Sequence, residues 1–307
     1  MRADHILSIL LIHSMNASVL FGAEAAKIHW PKPLQAFQGD LVEVNVGGKD
    51  LTEVEGALGK EKIYFYAGHD GLFSAIVGVD VEAKPSVSKL SIRATNSAGE
   101  QRQTEIPIKI KAKAFHKESF SVPPSFDQMS PETLAEIRRE QTAFARAFAT
   151  TSPQRFWSAP FLRPVPQDAS TSSFGSRRTI NGVSRAPHTG TDLSAPFGTE
   201  VVAANNGRVA LVGNFFFAGG SVVLDHGGGL FTMYFHLSEF KVEEGETVRR
   251  GDLLALSGGS GRVTGPHLHW GVRLNNSRVD PLDLLRKFSG PSDNSLDPSK
   301  AANKAEK

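Results

Sequence analysis

Gly265-Pro266-His267-Leu268-His269-Trp270 is the stretch on which the reading of this chain turns. It opens a run to Arg273 in which polar and apolar residues alternate, the period of a strand with one buried face. Residues two apart on a strand share a face, so both imidazoles reach one site while Leu268 and Trp270 point the other way. Upstream, His188-Thr189-Gly190-Thr191-Asp192 sets an imidazole and a carboxylate four residues apart. Two histidines and an aspartate without a thiol match a three-ligand zinc site whose fourth position stays open for water. The same donor set also suits iron(II). Spacing does not say which member of the His-x-His pair binds.

Around these motifs, from about Ser173 to Leu285, strand signals alternate with glycine turns. Val201–Ala204 and Val209–Val212 flank Asn205-Asn206-Gly207, a hairpin signature. Ser221–Asp225 and Leu230–Phe235 flank His226-Gly227-Gly228-Gly229, where His226 is expected to be structural. Pro160, Pro164 and Pro166 stiffen the segment before this region, which reads as an arm laid over a surface. Ahead of the arm, Ser130 caps a helix with Pro131 at its first position and Glu132 at the positive end of the dipole. Leu134, Ile137, Phe144 and Phe148 form its apolar stripe, and Arg138, Arg139 and Arg146 face outward. From Gln35 to Ala114 short strands recur, among them Val42-x-Val44-x-Val46, Leu90-x-Ile92-x-Ala94 and Ile106-x-Ile108-x-Ile110. They predict a small immunoglobulin-like sandwich without a catalytic constellation. Pro107 cannot donate to a ladder, which places the last strand at an edge.

The whole chain has 307 residues, enough for two domains with their own cores. A formal charge of +2 argues against a dedicated nucleic-acid binder. Cysteine is absent, which excludes disulfide scaffolds, thiolate zinc sites, cysteine nucleophiles and a lipidated N-terminal cysteine. Arg2, the apolar run Ile6–Ile12 and Ala23-Glu24-Ala25 read as a cleaved export signal. The run falls short of the ~20 apolar residues of a membrane anchor, so the mature chain is expected without one, in the periplasm or outside the cell. The expected division is a signal peptide at 1–25, a β-sandwich at 26–115, helix and linker at 116–170, the His-rich β domain at 171–288 and a disordered tail at 289–307. Nothing in the sequence fixes an oligomeric state.

Phe174-Gly175-Ser176-Arg177-Arg178, Asn181-Gly182, His188-x3-Asp192, Tyr234-Phe235-His236-Leu237, Val248-Arg249-Arg250-Gly251-Asp252 and the Gly265–Trp270 stretch follow one another in a familiar order. Over residues 174–285 the chain resembles the lysostaphin-type (M23, LytM-like) zinc metallopeptidases. The resemblance implies an antiparallel β peptidase domain and a zinc-dependent endopeptidase that hydrolyses peptide cross-links of bacterial peptidoglycan, with zinc-bound water as nucleophile. It implies His188, Asp192 and His269 as zinc ligands and His236 and His267 as the unligated catalytic pair. Arg177 or Arg178 is then a candidate for a stem-peptide carboxylate, Arg177 foremost, with Tyr234 as a second substrate contact. The alternative is a catalytically inactive module of the same fold that binds the wall or activates another hydrolase. Such modules lose ligands, and both motifs are complete here.

Overall fold

A computed structural model describes residues 27–123, 129–158, 160–166, 170–172 and 174–288. The export signal and the tail read from the sequence lie outside these residues. The N-terminal unit is an immunoglobulin-like sandwich. One sheet runs in the order β1 (Ile28–His29), β3 (Leu41–Gly48), β7 (Leu72–Gly78), β6 (Tyr66–Ala67). The other runs β2 (Leu34–Phe37), β9 (Gln101–Lys111), β8 (Ser86–Asn96), β4 (Leu51–Leu58), β5 (Glu61–Tyr64). The alternating residues do what their period requires: Val44, Val46, Leu90, Ile92, Ala94 and Ile108 are fully buried in one shared core.

Strand β9 is not an edge strand, contrary to the expectation from Pro107, because β2 pairs with it in parallel. That pairing covers only Ile108–Lys111. Pro107 sits one residue before it, so its flank away from β8 is open and its missing N–H costs no bond there.

The C-terminal unit is built on a ten-stranded sheet with the path β11 (Ser170–Ser172), β14 (Gly190–Leu193), β21 (Leu268–Leu274), β18 (Leu230–Phe240), β17 (Gly219–Asp225), β16 (Gly207–Phe215), β19 (Thr247–Val248). Strands β15 (Glu200–Val202), β20 (Leu253–Ser257) and β22 (Ser277–Val279) join its sides. A three-stranded sheet, β10 (Lys117–Phe120), β12 (Arg177–Ile180), β13 (Val183–Ser184), stands beside it. The signature at Asn205-Asn206-Gly207 does not close a hairpin: β15 pairs with β20, whereas β16 pairs with β17 and β19. Gly207 is not in the left-handed region a tight hairpin turn needs. Asn206 instead ties the crossing down, with Arg250 N donating to its Oδ1 and His226 Nδ1 donating to its carbonyl.

The sheet buries both faces. One packs Leu224, Tyr234, Trp270 and Val272 against Trp157, Phe161 and Val165 of the proline-stiffened arm and Leu41 of the sandwich. The other packs Val223, Phe231 and Met233 against Ala147 of α1 (Pro131–Ala149), with Phe144 and Phe148 beside it. Ser130 caps that helix by accepting from Thr133 N. The predicted stripe is used only in its second half, since Leu134 stays 40% exposed.

Candidate metal centre

Two antiparallel neighbours, β14 and β21, place Asp192 directly opposite His269. His188 enters just before β14, fixed by a reciprocal backbone pair in which Gly175 N donates to its carbonyl and its own N–H to Ser176 O. Three donor atoms converge as a result. His188 Nε2 lies 3.0 Å from Asp192 Oδ1 and 2.9 Å from His269 Nδ1, and His269 Nδ1 lies 3.0 Å from the same Oδ1. Hydrogen bonding serves this triangle poorly, because two ring nitrogens face each other while competing for one oxygen. A cation accepts all three lone pairs at once, so the donor set fits a metal. Burial pushes the Asp192 carboxyl up, but the bonds from His188 and His269 outweigh it and hold the group well below the usual carboxylate range. Burial also pushes the His269 ring down, toward the neutral form that ligates metals.

Two more imidazoles complete the cluster. His267 pairs with Gly258 in an isolated bridge just before β21, and His236 lies on β18. The rings are 4.9 Å apart. Each is pinned through Nδ1, which donates to a carbonyl: Gly265 O at 2.9 Å for His267 and Ser260 O at 3.0 Å for His236. In the neutral rings both Nε2 atoms are therefore acceptors. His267 Nε2 is 3.6 Å from Asp192 Oδ1. Burial lowers the His236 pKa to about 4. The cluster opens onto a cleft of about 510 Å³ whose other walls include Glu118, Phe120, Arg178, Phe217 and Arg262.

Of the candidate substrate contacts Arg177, Arg178 and Tyr234, only Arg178 lines the cleft. Arg177 faces the sandwich, where its Nη2 donates to Val81 O at 3.0 Å and its guanidinium lies over Phe115. Arg178, its neighbour on β12, takes the cleft face instead, as strand alternation requires. Tyr234 is fully buried beneath the sheet, its hydroxyl accepting from Ala204 N. It lies two residues from His236, which should share its face, but His236 adopts φ +66° and the β17–β18 register shifts between Gly220 and Val222. That bulge turns His236 to the cluster's side of the sheet. The unbroken β18–β21 register sets Phe235, not Tyr234, opposite His269, where it stacks on the ring at 5.4 Å. Phe235 and the wall from β10 were not legible as site residues in the sequence. His226 is structural as expected, its Nδ1 donating to Asn206 O at 2.7 Å and its Nε2 2.8 Å from Thr232 Oγ1.

The peptidase family M23 model matches residues 186–281. Over 113 residues the chain is 46% identical to peptidoglycan DD-endopeptidase ShyA of Vibrio cholerae, covering 36% of this chain and 26% of ShyA. It is 41% identical over 97 residues to the DD-carboxypeptidase/endopeptidase Mpg of Neisseria meningitidis, 32% of this chain and 22% of Mpg. The chain thus spans about a quarter of the length of these curated relatives. A crystal structure of a Pseudomonas aeruginosa chain assigned to peptidase M23 covers 83% of this chain and 96% of its own, at TM-score 0.65 and 29% identity. That likeness takes in much more than the matched segment.

Proposed function

Residues 186–281 are a peptidase family M23 domain, and from that premise we propose that the protein is a zinc-dependent endopeptidase of bacterial peptidoglycan, acting on peptide cross-links in the periplasm or outside the cell. The observation that carries the proposal is the convergence of His188 Nε2, Asp192 Oδ1 and His269 Nδ1 at 2.9–3.0 Å in an open cleft flanked by two imidazole acceptors. In this reading those three residues hold zinc, which supplies Lewis acidity that polarises a peptide carbonyl and brings the pKa of water to about 7. His236 and His267 handle protons. With Nδ1 of each ring committed to a carbonyl, Nε2 takes the proton from the attacking water and, once charged, returns it to the departing amine. The same protonated Nε2 can hydrogen-bond the oxygen on which negative charge develops. Among the described residues no helix is long and apolar enough to cross a membrane.

The test is metal analysis coupled to digestion of cross-linked dimeric muropeptides. About one zinc per chain and release of monomers with intact glycan are expected. His188→Ala and Asp192→Ala lose metal, whereas His236→Ala and His267→Ala keep it and lose about 10²–10⁴-fold in turnover. Full metal and full activity in both ligand variants would refute the reading. New reducing sugar ends, or whole stems freed from glycan, would move the cleavage to a different bond.

A further inference from the structure

Three residues of the cleft wall, Glu118, Phe120 and Arg178, come from outside residues 186–281, the span that the M23 family model matches. They stand on β10 and β12, which pair in parallel with Glu118 in register with Arg178. Alternation sorts this small sheet into two uses. Arg177 turns away to Val81 and Phe115, while Glu118, Phe120 and Arg178 face the metal centre's cleft. The Glu118–Arg178 pair is a loose one. Its Oε2 to Nε distance is 3.4 Å, longer than the ~2.7–2.9 Å of a tight charge-assisted bond. Both side chains are 42% exposed, and an ion pair so exposed contributes little to the fold. Glu118 and Asp192 are the carboxylates lining the cleft, and Asp192 is committed to His188 and His269.

We infer that Arg178 reads a carboxylate of the substrate, and that Glu118 occupies its guanidinium only until that carboxylate arrives. The inference rests on the reading of the site as a stem-peptide endopeptidase. A guanidinium offers a planar fork that grips a carboxylate with two parallel bonds, more than the single long contact to Glu118 provides. A peptide long enough to reach the His188–Asp192–His269 cluster lies in the same cleft as Arg178. Exchange of one exposed carboxylate for another is a small cost, so recognition of the incoming group is retained as selectivity.

The experiment compares two cross-linked muropeptides that differ only in having their free stem carboxylates intact or converted to primary amides. Full-length, metal-loaded protein should prefer the carboxylate form by about 10-fold or more in kcat/KM. Arg178→Gln should collapse most of that preference, chiefly through KM and with unaltered metal content. Glu118→Gln, which removes the competitor, should widen it several-fold. Arg177→Gln on the opposite face serves as the control and should retain the wild-type preference. A wild type that does not distinguish the two substrates, or an Arg178→Gln variant with undiminished preference, overturns the inference. Narrowing of the preference by Glu118→Gln overturns the competitor role. Hydrolysis of neither substrate by the wild type would instead count against the endopeptidase reading itself.

Discussion

Gly190, between the two ligand positions of His188-Thr189-Gly190-Thr191-Asp192, offers a sharp test of how the cluster is held. A Cβ there would lie 2.5 Å from His269 Nε2, 2.5 Å from the Trp270 carbonyl and 2.8 Å from His269 Cε1. Ordinary contacts begin near 3.4 Å, so something must move by about an ångström. The Trp270 carbonyl belongs to a strand laddered on both sides, by β14 and β18, and cannot yield. The His269 ring can, at the expense of its alignment with Asp192. Gly190→Ala should therefore cost about 1–3 kcal/mol of stability as an overpacking change. It should also weaken metal binding by at least the ~10–100-fold typical of losing a supporting partner of a metal ligand. Its cross-strand partner Gly271 provides the control, because a Cβ at 271 meets the terminal Cε of Met233 at 2.7 Å, a flexible end that can swing aside. Gly271→Ala should keep metal affinity within a few-fold of wild type. Competition with a chromophoric chelator measures both affinities, and thermal unfolding without metal measures the stability term. Equal metal affinity in the two variants would show that crowding at His269 does not govern the site.

Two further outcomes follow from buried ionisable groups. His226 is fully buried and burial lowers its pKa to about 4, so between pH 6.5 and 4 the unfolded chain binds a proton that the folded chain does not. Its stabilisation is complete above pH 6.5 and falls by about 3 kcal/mol as pH drops to 4. Urea titrations across that range should show a steeper loss for wild type than for His226→Gln, and parallel curves would refute the assignment. At the domain contact, burial opposes ionisation of Asp80, but hydrogen bonds from Arg278 hold its carboxyl below the ordinary range. That contribution is present above the ordinary carboxylate pKa and is lost as pH falls through the depressed value. Arg278→Ala, which removes the guanidinium that Asp80 shares with Glu82, should cost about 1–3 kcal/mol and remove this acid limb. An unchanged urea midpoint at pH 7 would show the contact to be idle.

Sequence periodicity carried far because burial and period coincide in most of these strands. His267 and His269 share a site face with Leu268 beneath them, as two-residue alternation demands. The reading failed where backbone geometry breaks the period. At His236 a left-handed residue in a bulge separates Tyr234 from its expected face, and no propensity signals φ +66° at a histidine. The asparagine–glycine turn failed for a related reason: tertiary bonds to Arg250 and His226 fix a crossing that local turn chemistry would have closed. Arg177 and Arg178 were indistinguishable as letters, since the phase of β12 is set by its pairing with β10 from a segment about 60 residues away.

That pairing also bears on what the N-terminal half does. The sandwich is not hung from a hinge beside the cleft. Leu41 lies in the core of the ten-stranded sheet, Leu41 N donates to Asp283 Oδ2, Ser277 Oγ donates to Gly78 O, and Arg278 grips Asp80 through two nitrogens. A Cβ at Gly78 would lie 2.8 Å from the Leu274 carbonyl, so the two backbones meet without room for a side chain. Opening such a contact would expose apolar surface and strand several polar groups at once, which disfavours a lid that swings on this interface. The part of the N-terminal half that does reach the cleft is β10, just past the end of the sandwich, and it is exposed along its whole length. A fixed sandwich that holds an exposed strand against β12 is better suited to shaping a substrate wall than to covering the metal centre.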